Sequence, residues 1–312
     1  MAEAPDRAIV VAVLTYRRPD DLAALLPLLK VEAASVDVEV DVLVVDNDPD
    51  ASARDLVTGH AGQGVRYVHE PRPGIAAGRN RAIDSAQAAA ALVFIDDDER
   101  PRTGWLAELL ATWARFGSDG VVGRVISEFS EEPDEWIVGG GFFHRPRFAT
   151  GTRMPVAATN NLLLDLAFVR RSGIRFDEAF GLSGGSDTLF TRSLTAAGGR
   201  LVWCDEAVVT DVVPSHRVSR DWVLQRYFRN GNSWARSSVA LSRGRAGRFA
   251  TRVRLMAAGS VRVAGGTGKW AVSRVTRSRA RNAAALRTVH RGMGMISGAW
   301  GHVYYEYKRP PA

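Results

Sequence analysis

Short apolar runs alternate with amphipathic stretches through the first 125 residues. Continuous apolar runs predict buried strands, and apolar residues three or four positions apart predict the helices between them. The predicted strands cover residues 9–14, 40–45, 65–68, 91–95 and 121–125. Alternation of strand and helix is typical of a doubly wound, mostly parallel sheet. The pattern therefore predicts an α/β fold.

The alternation weakens after residue 126. Acids and a glycine triplet over residues 127–151 indicate a mobile loop beside a strand, in which core packing is favoured for Trp136, Phe142 and Phe143. Further predictions are another apolar segment over 160–164, a strand over 201–203 and helices over 166–171 and 184–198. From residue 222 onward the pattern is helical and rich in arginine. We expect an α/β domain over residues 1–221 and a basic, mainly helical C-terminal extension over 222–312.

The two predicted domains differ sharply in charge. Residues 222–312 contain 18 Lys and Arg and one acid, Glu306, whereas residues 1–221 contain 23 bases and 33 acids. A basic extension predicts an anionic partner. The stretch 248–263 places apolar and basic residues beside each other at helical spacing, and such helices lie in membrane interfaces. The apolar side is Phe249, Val253, Met256 and Val263, and the neighbouring bases are Arg248, Arg252 and Arg262.

Two other interpretations of the extension remain open. An ordinary packed helix can carry a solvated arginine face, and nucleic acid is disfavoured because no recognition fold accompanies the charge. A single cysteine, Cys204, fits a reducing compartment, and the N-terminus lacks a signal-peptide pattern. No stretch reaches about 18 uncharged apolar residues. We expect a cytoplasmic protein, peripheral on the inner face of the cell membrane.

Polar residues follow three of the predicted strands. Thr15 precedes Arg17 and Arg18, Asp46 precedes Asn47, and the strand over 91–95 ends in Asp96-Asp97-Asp98-Glu99. The carboxyl ends of parallel strands meet at one edge, where α/β sheets bind ligands. Four adjacent acids repel one another, and a hard divalent cation such as Mg²⁺ would offset that repulsion. The alternative interpretation is a solvated acidic turn.

A nucleotide would fit this edge of the sheet. Asp46 can accept hydrogen bonds from a base N–H or a ribose hydroxyl, and arginines pair with phosphate. Arg79 lies on the helix entered through Gly74, close enough in sequence order to reach the same edge. A metal held by Asp96 and Asp98 would offset the charge of a diphosphate.

Residues 8–215 resemble a family 2 glycosyltransferase of the GT-A (Rossmann-like) fold. The resemblance lies in seven short motifs that occur in the family's order over about two thirds of the chain. They are Val-Leu-Thr-Tyr-Arg-Arg-Pro at 13–19, Val-Val-Asp-Asn at 44–47, Gly-Ile-Ala-Ala-Gly-Arg-Asn-Arg at 74–81, Phe-Ile-Asp-Asp-Asp at 94–98, Asn-Leu-Leu-Leu at 161–164, Phe-Asp-Glu-Ala-Phe at 176–180 and Gly-Gly-Ser-Asp at 184–187.

The resemblance implies roles for the residues at the strand ends. Residues implied to contact the nucleotide-sugar are Thr15, Arg17, Asp46, Arg79, Asp96 and Asp97. Asp98 is the implied direct ligand of Mn²⁺ or Mg²⁺, with Asp96 contacting ribose or metal-bound water, and some GT-A enzymes add a late histidine, here His216. A surface histidine after a turn is the alternative for His216.

Asp187 matches the family's usual catalytic base, although Ser186 stands where the family usually has Glu. Two glycines before Asp187 allow close approach to a ligand, and the helix beginning there offers free N–H groups. Capping of that helix is the alternative role. The implied reaction is a single displacement that inverts the anomeric centre, in which Asp187 takes the proton of the acceptor hydroxyl.

The expected function is an inverting glycosyltransferase that uses a nucleoside-diphosphate sugar, UDP favoured, in bacterial polysaccharide or glycolipid biosynthesis. The expected acceptor is a hydroxyl of a glycan or a lipid-linked sugar. A phosphohydrolase is disfavoured because its Asp-x-Asp motif follows the first strand. A nucleotidyltransferase needs a glycine-rich loop after that strand, which Thr15-Tyr16-Arg17-Arg18 does not supply. A non-catalytic nucleotide-binding or anionic-lipid-binding protein on the same scaffold remains the alternative.

Overall fold

The computed structural model describes residues 8–60 and 62–304. The strands are β1 Ile9–Thr15, β2 Val40–Asp46, β3 Val65–His69, β4 Ala91–Asp96, β5 Glu99–Pro101, β6 Gly120–Phe129, β7 Arg153–Met154, β8 Asn161–Asp165 and β9 Leu201–Val213. The helices are α1 Pro19–Ala34, α2 Arg54–Thr58, α3 Ile75–Ser85, α4 Trp105–Phe116, α5 Glu135–Gly140, α6 Leu166–Ser172, α7 Ser186–Ala196, α8 Arg220–Ala240, α9 Gly244–Val275 and α10 Arg279–Ala299. Two 3₁₀ turns cover Glu178–Phe180 and Ser215–Arg217.

The strands form one sheet in the order β3-β2-β1-β4-β8-β6-β9-β5, with β7 paired to β9. Strands β1 to β4 pair in parallel, and β8 runs antiparallel between β4 and β6. Because β6 is antiparallel to β8, it points in the same direction as β1 to β4. The expected α/β fold with a doubly wound, mostly parallel sheet is confirmed.

Both faces of the sheet are covered, which explains why its strands are continuous apolar runs. Successive residues of a strand point to opposite faces. Val11 and Val13 of β1 pack with apolar residues of α1 and α4, and Val10 and Ala12 pack with residues of α3, α6 and α7. The alternation along β1 thus builds two cores, one on each side of the sheet.

The chain divides into two compact units that are interleaved in sequence. The first runs to Ile126 and includes Pro146–Gly181 and Phe190–Asp211. The second includes Ser127–Arg145, Leu182–Leu189 and the residues from Val212 onward. The boundary expected from the charge pattern, at residue 221, stays a prediction about the domains.

Residues 127–151 contain the end of a strand and a short helix. Strand β6 continues to Phe129, and α5 buries Trp136, which stacks on Phe142 with ring centroids 5.1 Å apart. The Asp134 side chain caps α5 by accepting from the backbone N of Trp136 at 2.7 Å. The expectation of a loop was therefore wrong for residues 127–129 and 135–140, whereas the expected core packing of Trp136 and Phe142 is confirmed.

The second unit contains three long helices of the basic extension. Helix α10 packs against α8 and α9, and at several glycines the approach is limited by backbone, most closely at Gly294. A Cβ on Gly294 would collide with the carbonyl oxygen of Phe228 in α8 and lie 3.0 Å from the backbone N of Asn232. Among the described ranges, no helix combines the length and apolar character needed to cross a bilayer.

Candidate active site

The carboxyl ends of β1 and β4 are joined by side chains. Thr15 is the last residue of β1 and is buried, and its hydroxyl donates to Asp97 Oδ2 at 2.9 Å. Arg18 donates from one terminal nitrogen to Asp97 Oδ1 at 2.9 Å and to Asp98 Oδ2 at 2.8 Å. The structure therefore brings Thr15, Arg18, Asp97 and Asp98 into direct contact, as expected of neighbouring parallel strands.

Arg18 reduces the repulsion within the acidic run. Burial alone lowers the pKa of Arg18, but the carboxylates of Asp97 and Asp98 raise it more, so its pKa lies above the ordinary arginine value. Asp97 is 4% exposed, and burial raises the pKa of its carboxyl to about 6 against the opposing effect of Arg18. Arg18 thus stays charged and compensates part of the charge that the β4 end carries.

The four acids after β4 alternate in burial. Asp97 and Glu99 are buried, whereas Asp96 and Asp98 are half-buried. Glu99 Oε1 accepts from Asn160 Nδ2 at 2.7 Å, and Glu99 Oε2 accepts from the backbone N of Asp96 at 3.3 Å. Two of the acids therefore stabilise the strand end from inside, which leaves Asp96 and Asp98 as the more accessible pair.

Asp46 and Asn47 order the loops that follow β2. Asp46 is fully buried, and its carboxylate accepts from the backbone N of Asp48 at 3.0 Å, the backbone N of Ala53 at 2.8 Å and the Tyr67 hydroxyl at 3.1 Å. Asn47 Nδ2 donates to two carbonyls in the loop after β3, and Asn47 Oδ1 accepts from the backbone N of Gly74 at 3.2 Å. The contact of Asp46 with a nucleotide stays a prediction.

Arg17 and Arg79, the two arginines expected to contact the nucleotide, lie in different surroundings. Arg17, an exposed residue with φ of 53°, donates to Asp48 at 3.1 Å and to Asp50 at 2.7 Å. Arg79 is buried on α3, with its guanidinium 5.5 Å from the ring centre of Phe176. Arg17 lies beside the β2 loop, and the structure places its neighbour Arg18 on the acidic run.

Asp187 occupies the first turn of α7, after two glycines with positive φ, Gly184 and Gly185. A Cβ on Gly185 would lie 2.7 Å from the Cβ of Ser233, so glycine is required there for space as well as for backbone conformation. Asp187 Oδ1 accepts from the backbone N of Thr188 at 2.7 Å. Asp187 is the second residue of α7 and not the residue that precedes the helix. Ser186, the first residue of α7, is buried.

Asp187 and His216 belong to the second compact unit, whereas the other expected site residues belong to the first. His216 is exposed in the 3₁₀ turn Ser215–Arg217. Its assignment as a metal ligand and that of Asp187 as the base stay predictions.

A group of potential metal ligands occurs away from the acidic run. Donor atoms of Glu108, Cys204 and Glu206 lie within 4.8 Å of one another. Burial raises the pKa of the Cys204 thiol, and both glutamates are exposed. Because metals bind the thiolate, a buried thiol held in its protonated form is a poor ligand. We assign this group no metal.

The sequence placed Arg18 with Arg17 at the strand end but gave the nucleotide role to Arg17 alone of the two, and it did not point to Asn160. Arg18 adjoins Arg17 in the first motif. The directions of the two side chains decide which of them contacts the acidic run, and these directions are not visible in the sequence. Asn160 adjoins β8 and reaches Glu99 only because β8 inserts antiparallel next to β4. No local pattern indicated that insertion.

The mostly parallel sheet, with polar residues at the carboxyl ends of β1, β2 and β4, is that of a GT-A glycosyltransferase fold. The sequence profile of Glycosyl transferase family 2 matches residues 10–175. The chain belongs to glycosyltransferase family 2, and the resemblance read from its motifs is confirmed.

Known proteins of similar sequence and structure agree with this assignment. The chain is 34% identical over 297 residues to the succinoglycan biosynthesis protein ExoM of Rhizobium meliloti (strain 1021), covering 94% of this chain and 93% of ExoM. The S. aureus TarS 1–349 structure in complex with UDP-GlcNAc matches with a TM-score of 0.54 at 16% identity, over 91% of this chain and 90% of that one. GalNAc-T7 with UDP, GalNAc and Mn²⁺ matches with a TM-score of 0.52 at 12% identity, over 75% and 51%.

Proposed function

We propose that this glycosyltransferase transfers a sugar from a nucleoside-diphosphate sugar, with UDP favoured, to a hydroxyl of a glycan or lipid-linked acceptor. The 34% identity to a succinoglycan biosynthesis protein favours bacterial polysaccharide or glycolipid biosynthesis as the setting. The complexes of TarS with UDP-GlcNAc and of GalNAc-T7 with UDP favour UDP as the carrier. One observation of the chain itself supports donor binding most directly, namely the accessibility of Asp96 and Asp98, which alternate with the buried acids Asp97 and Glu99.

The residues after β4 fit a divalent cation. Asp96 and Asp98 are half-buried carboxylates two positions apart, and hard cations such as Mn²⁺ and Mg²⁺ prefer oxygen ligands. Arg18 compensates Asp97 and contacts one oxygen of Asp98, so the strand end tolerates the run without a cation. When bound, the cation would neutralise charge on the departing nucleoside diphosphate.

In the proposed reaction the chain handles the proton of the acceptor. The acceptor oxygen forms a bond to the anomeric carbon on the face opposite the leaving diphosphate, and the bond from that carbon to the phosphate oxygen breaks. Asp187 takes the hydroxyl proton, a contribution worth roughly 10²–10⁴ in rate. Asp187 lies in the first turn of α7, where its Oδ1 accepts from the backbone N of Thr188 at 2.7 Å.

The substitution Asp187→Asn tests this role. We expect nucleoside diphosphate release and sugar transfer to fall by about 10²–10⁴, while donor affinity, measured by calorimetry, stays within a factor of a few. The matched control is Asp221→Asn, which also removes an acid from the first turn of a helix, α8, and should keep full activity. Equal turnover by the Asp187 variant and the control would overturn the assignment.

A non-catalytic nucleotide-binding protein on this scaffold predicts a different result. Such a protein would bind UDP-sugars with Mn²⁺ and release no nucleoside diphosphate with any acceptor, so donor binding without turnover would favour the alternative. Asp96→Asn and Asp98→Asn should weaken donor binding only when Mn²⁺ is present. A loss of affinity of the same size in its absence would contradict the metal assignment.

A further inference from the structure

The outward side of helix α9 is apolar over most of its length. At steps of three or four residues it presents Phe249, Val253, Ala257, Val261, Ala264, Gly268, Val272 and Val275, all of which are exposed. Phe249 is 70% exposed, Val261 72% and Val275 85%. From residue 249 to residue 275 this face is about 39 Å long at 1.5 Å per residue. We call it the outer face of α9.

The opposite side of α9 is the one that packs. Leu255, Gly259, Gly266 and Ser273 are buried, and a Cβ on Gly259 would lie 2.9 Å from the carbonyl oxygen of Gly292 in α10. A helix at a protein surface normally turns its apolar side inward and its polar side outward. In α9 small residues face inward and valines face outward, so folding within the chain leaves the outer face uncovered.

This arrangement differs from the apolar side expected from the sequence. Phe249 and Val253 belong to the outer face, but Met256 and Val263 are half-buried, and Met256 packs against the core of Leu255 and Met295. Helical spacing alone could not distinguish an apolar side that packs from one that stays exposed. The structure makes the exposed side longer than the stretch 248–263.

Charge indicates what could cover the outer face. Helix α9 has seven bases and no acid: Arg245, Arg248, Arg252, Arg254, Arg262, Lys269 and Arg274. Arg245, Arg254 and Arg274 flank the outer face, whereas Arg248, Arg252 and Arg262 stand seven residues from the buried Leu255 or Gly259 and so lie toward the packing side. Trp270 is 39% exposed, with the Arg274 guanidinium 6.0 Å from its ring centre. Tryptophan and arginine are the side chains that favour the headgroup region of a membrane.

We propose that α9 lies flat on the surface of a membrane that contains anionic lipid. The outer face enters the boundary between headgroups and acyl chains, and the flanking Arg245, Arg254 and Arg274 contact lipid phosphates. An extended anionic surface matches bases spread along about 39 Å of helix, whereas a folded protein partner would need acids in the same linear arrangement. The inference does not depend on sugar transfer, since it concerns a surface that needs no nucleotide.

Sedimentation of the full-length protein with vesicles tests the proposal in the absence of donor and metal. Vesicles of phosphatidylcholine alone are compared with vesicles containing about 30 mol % phosphatidylglycerol, at low and high salt. We expect binding to the anionic vesicles only, weakening steeply with salt. Equal binding to both vesicle types, or binding to neither, would overturn the proposal.

Matched valine variants test the outer face itself. The triple variant Val253→Ser, Val261→Ser, Val275→Ser should lower the vesicle partition coefficient at least about tenfold, because it removes apolar area from the interface. The control triple variant Val31→Ser, Val38→Ser, Val138→Ser alters three other exposed valines and should bind like the wild type. Equal partition coefficients for the two triple variants would contradict the assignment.

Arginine variants test the electrostatic part. Each base near an anionic surface contributes about fivefold in partition, so Arg245→Gln, Arg254→Gln, Arg274→Gln together should lower it on the order of a hundredfold. The control Arg115→Gln, Arg153→Gln, Arg171→Gln removes three exposed arginines outside the second unit and should have a small effect. If both triple variants weaken binding equally, net charge and not α9 drives the association.

A fluorescent label reports insertion directly. Cys204 is buried and its pKa is raised by burial, so a thiol-reactive, polarity-sensitive dye should label only an introduced cysteine. With anionic vesicles the emission should shift to the blue for Val261→Cys and stay constant for Val138→Cys. The proposal fails if the Val261→Cys emission stays constant, or if duplex DNA, added in place of vesicles, shifts it as much.

Discussion

Polar side chains order the loops after β1, β2 and β4, whereas backbone contacts at glycines hold α10 against its neighbouring helices. In the loops, Asp46, Asn47 and Asp97 are buried and each makes hydrogen bonds at 2.7–3.2 Å to groups of other segments. In the helices, the positions of Gly294 and Gly259 are set by the absence of a side chain. The loops are held by hydrogen bonds from side chains, whereas the helices approach closely because glycine has no side chain.

The difference predicts how each region responds to substitution. A buried polar side chain can be replaced by an isostere that keeps its volume and loses its hydrogen bonds, so the cost is that of unpaired groups. A glycine in a backbone contact cannot be enlarged by even one methyl group without moving a helix. We therefore expect one added methyl group at a helix contact to destabilise the fold more than an isosteric substitution in the loops.

Gly294→Ala should produce the largest loss. The added Cβ would collide with the Phe228 carbonyl oxygen, so α8 and α10 must separate, and we expect about 3 kcal/mol less stability. Gly265→Ala is the control, since its Cβ would meet no atom within 4 Å; it should be neutral or stabilise by up to about 1 kcal/mol. Urea denaturation of both variants measures the difference, and equal midpoints would show that the glycine contact is not needed.

Asn47→Asp should have an intermediate effect. The new carboxylate can still accept from the backbone N of Gly74, but its other oxygen faces the carbonyls of Glu70 and Arg72, to which Asn47 Nδ2 donated. We expect a loss of about 2 kcal/mol in the free energy of unfolding, because two hydrogen bonds are lost and the carboxylate repels both carbonyl oxygens. Asn230→Asp, at an exposed position of α8, should stay within about 0.5 kcal/mol of the wild type. A similar loss in both variants would contradict the role given to Asn47.

Glu70→Gln should have the smallest effect, and one that depends on pH. Burial alone would raise the pKa of Glu70, but the side chain and backbone N of Arg72 hydrogen-bond its carboxylate and lower the pKa below the ordinary value. The unfolded state therefore binds more protons, and the carboxylate stabilises the fold above the ordinary glutamate pKa of about 4.3. That contribution disappears as the pH falls through the lowered pKa.

We expect Glu70→Gln to cost about 1 kcal/mol or less at pH 7 and nothing measurable once the carboxyl of the wild type is protonated. Thermal unfolding across that pH range measures both values. Glu178→Gln, which removes a partner of the same Arg72 at 3.0 Å but at a half-exposed carboxyl, should have no measurable effect. If the loss of stability in Glu70→Gln grew as the pH fell, the pKa of Glu70 would be raised in the folded state, contrary to this inference.

Prediction from sequence worked best where structure is local. The apolar run over 9–14 corresponds to β1, which spans Ile9–Thr15, because a strand buried on both faces has a local signature. The alanine-rich stretch over 86–91 favours a longer helix, but α3 ends at Ser85. The alanines after it carry no stop signal, and the backbone N of Ala90 donates to Ala8 next to β1 at 3.0 Å. Pairing with a distant strand decided where that helix stops.

The sequence by itself determined the alternation of strands and helices, the family motifs and the concentration of bases after residue 222, because each is a property of neighbouring residues. The tertiary structure decided which acids after β4 are buried, which arginine pairs with them and which side of α9 stays exposed. Those outcomes depend on the partner that a residue meets across the fold. Two examples are the contact of Asn160 with Glu99 and that of Gly294 with Phe228, each between residues more than 60 positions apart. Whether such a residue is buried depends on the distant segment that packs on it and not on its own type.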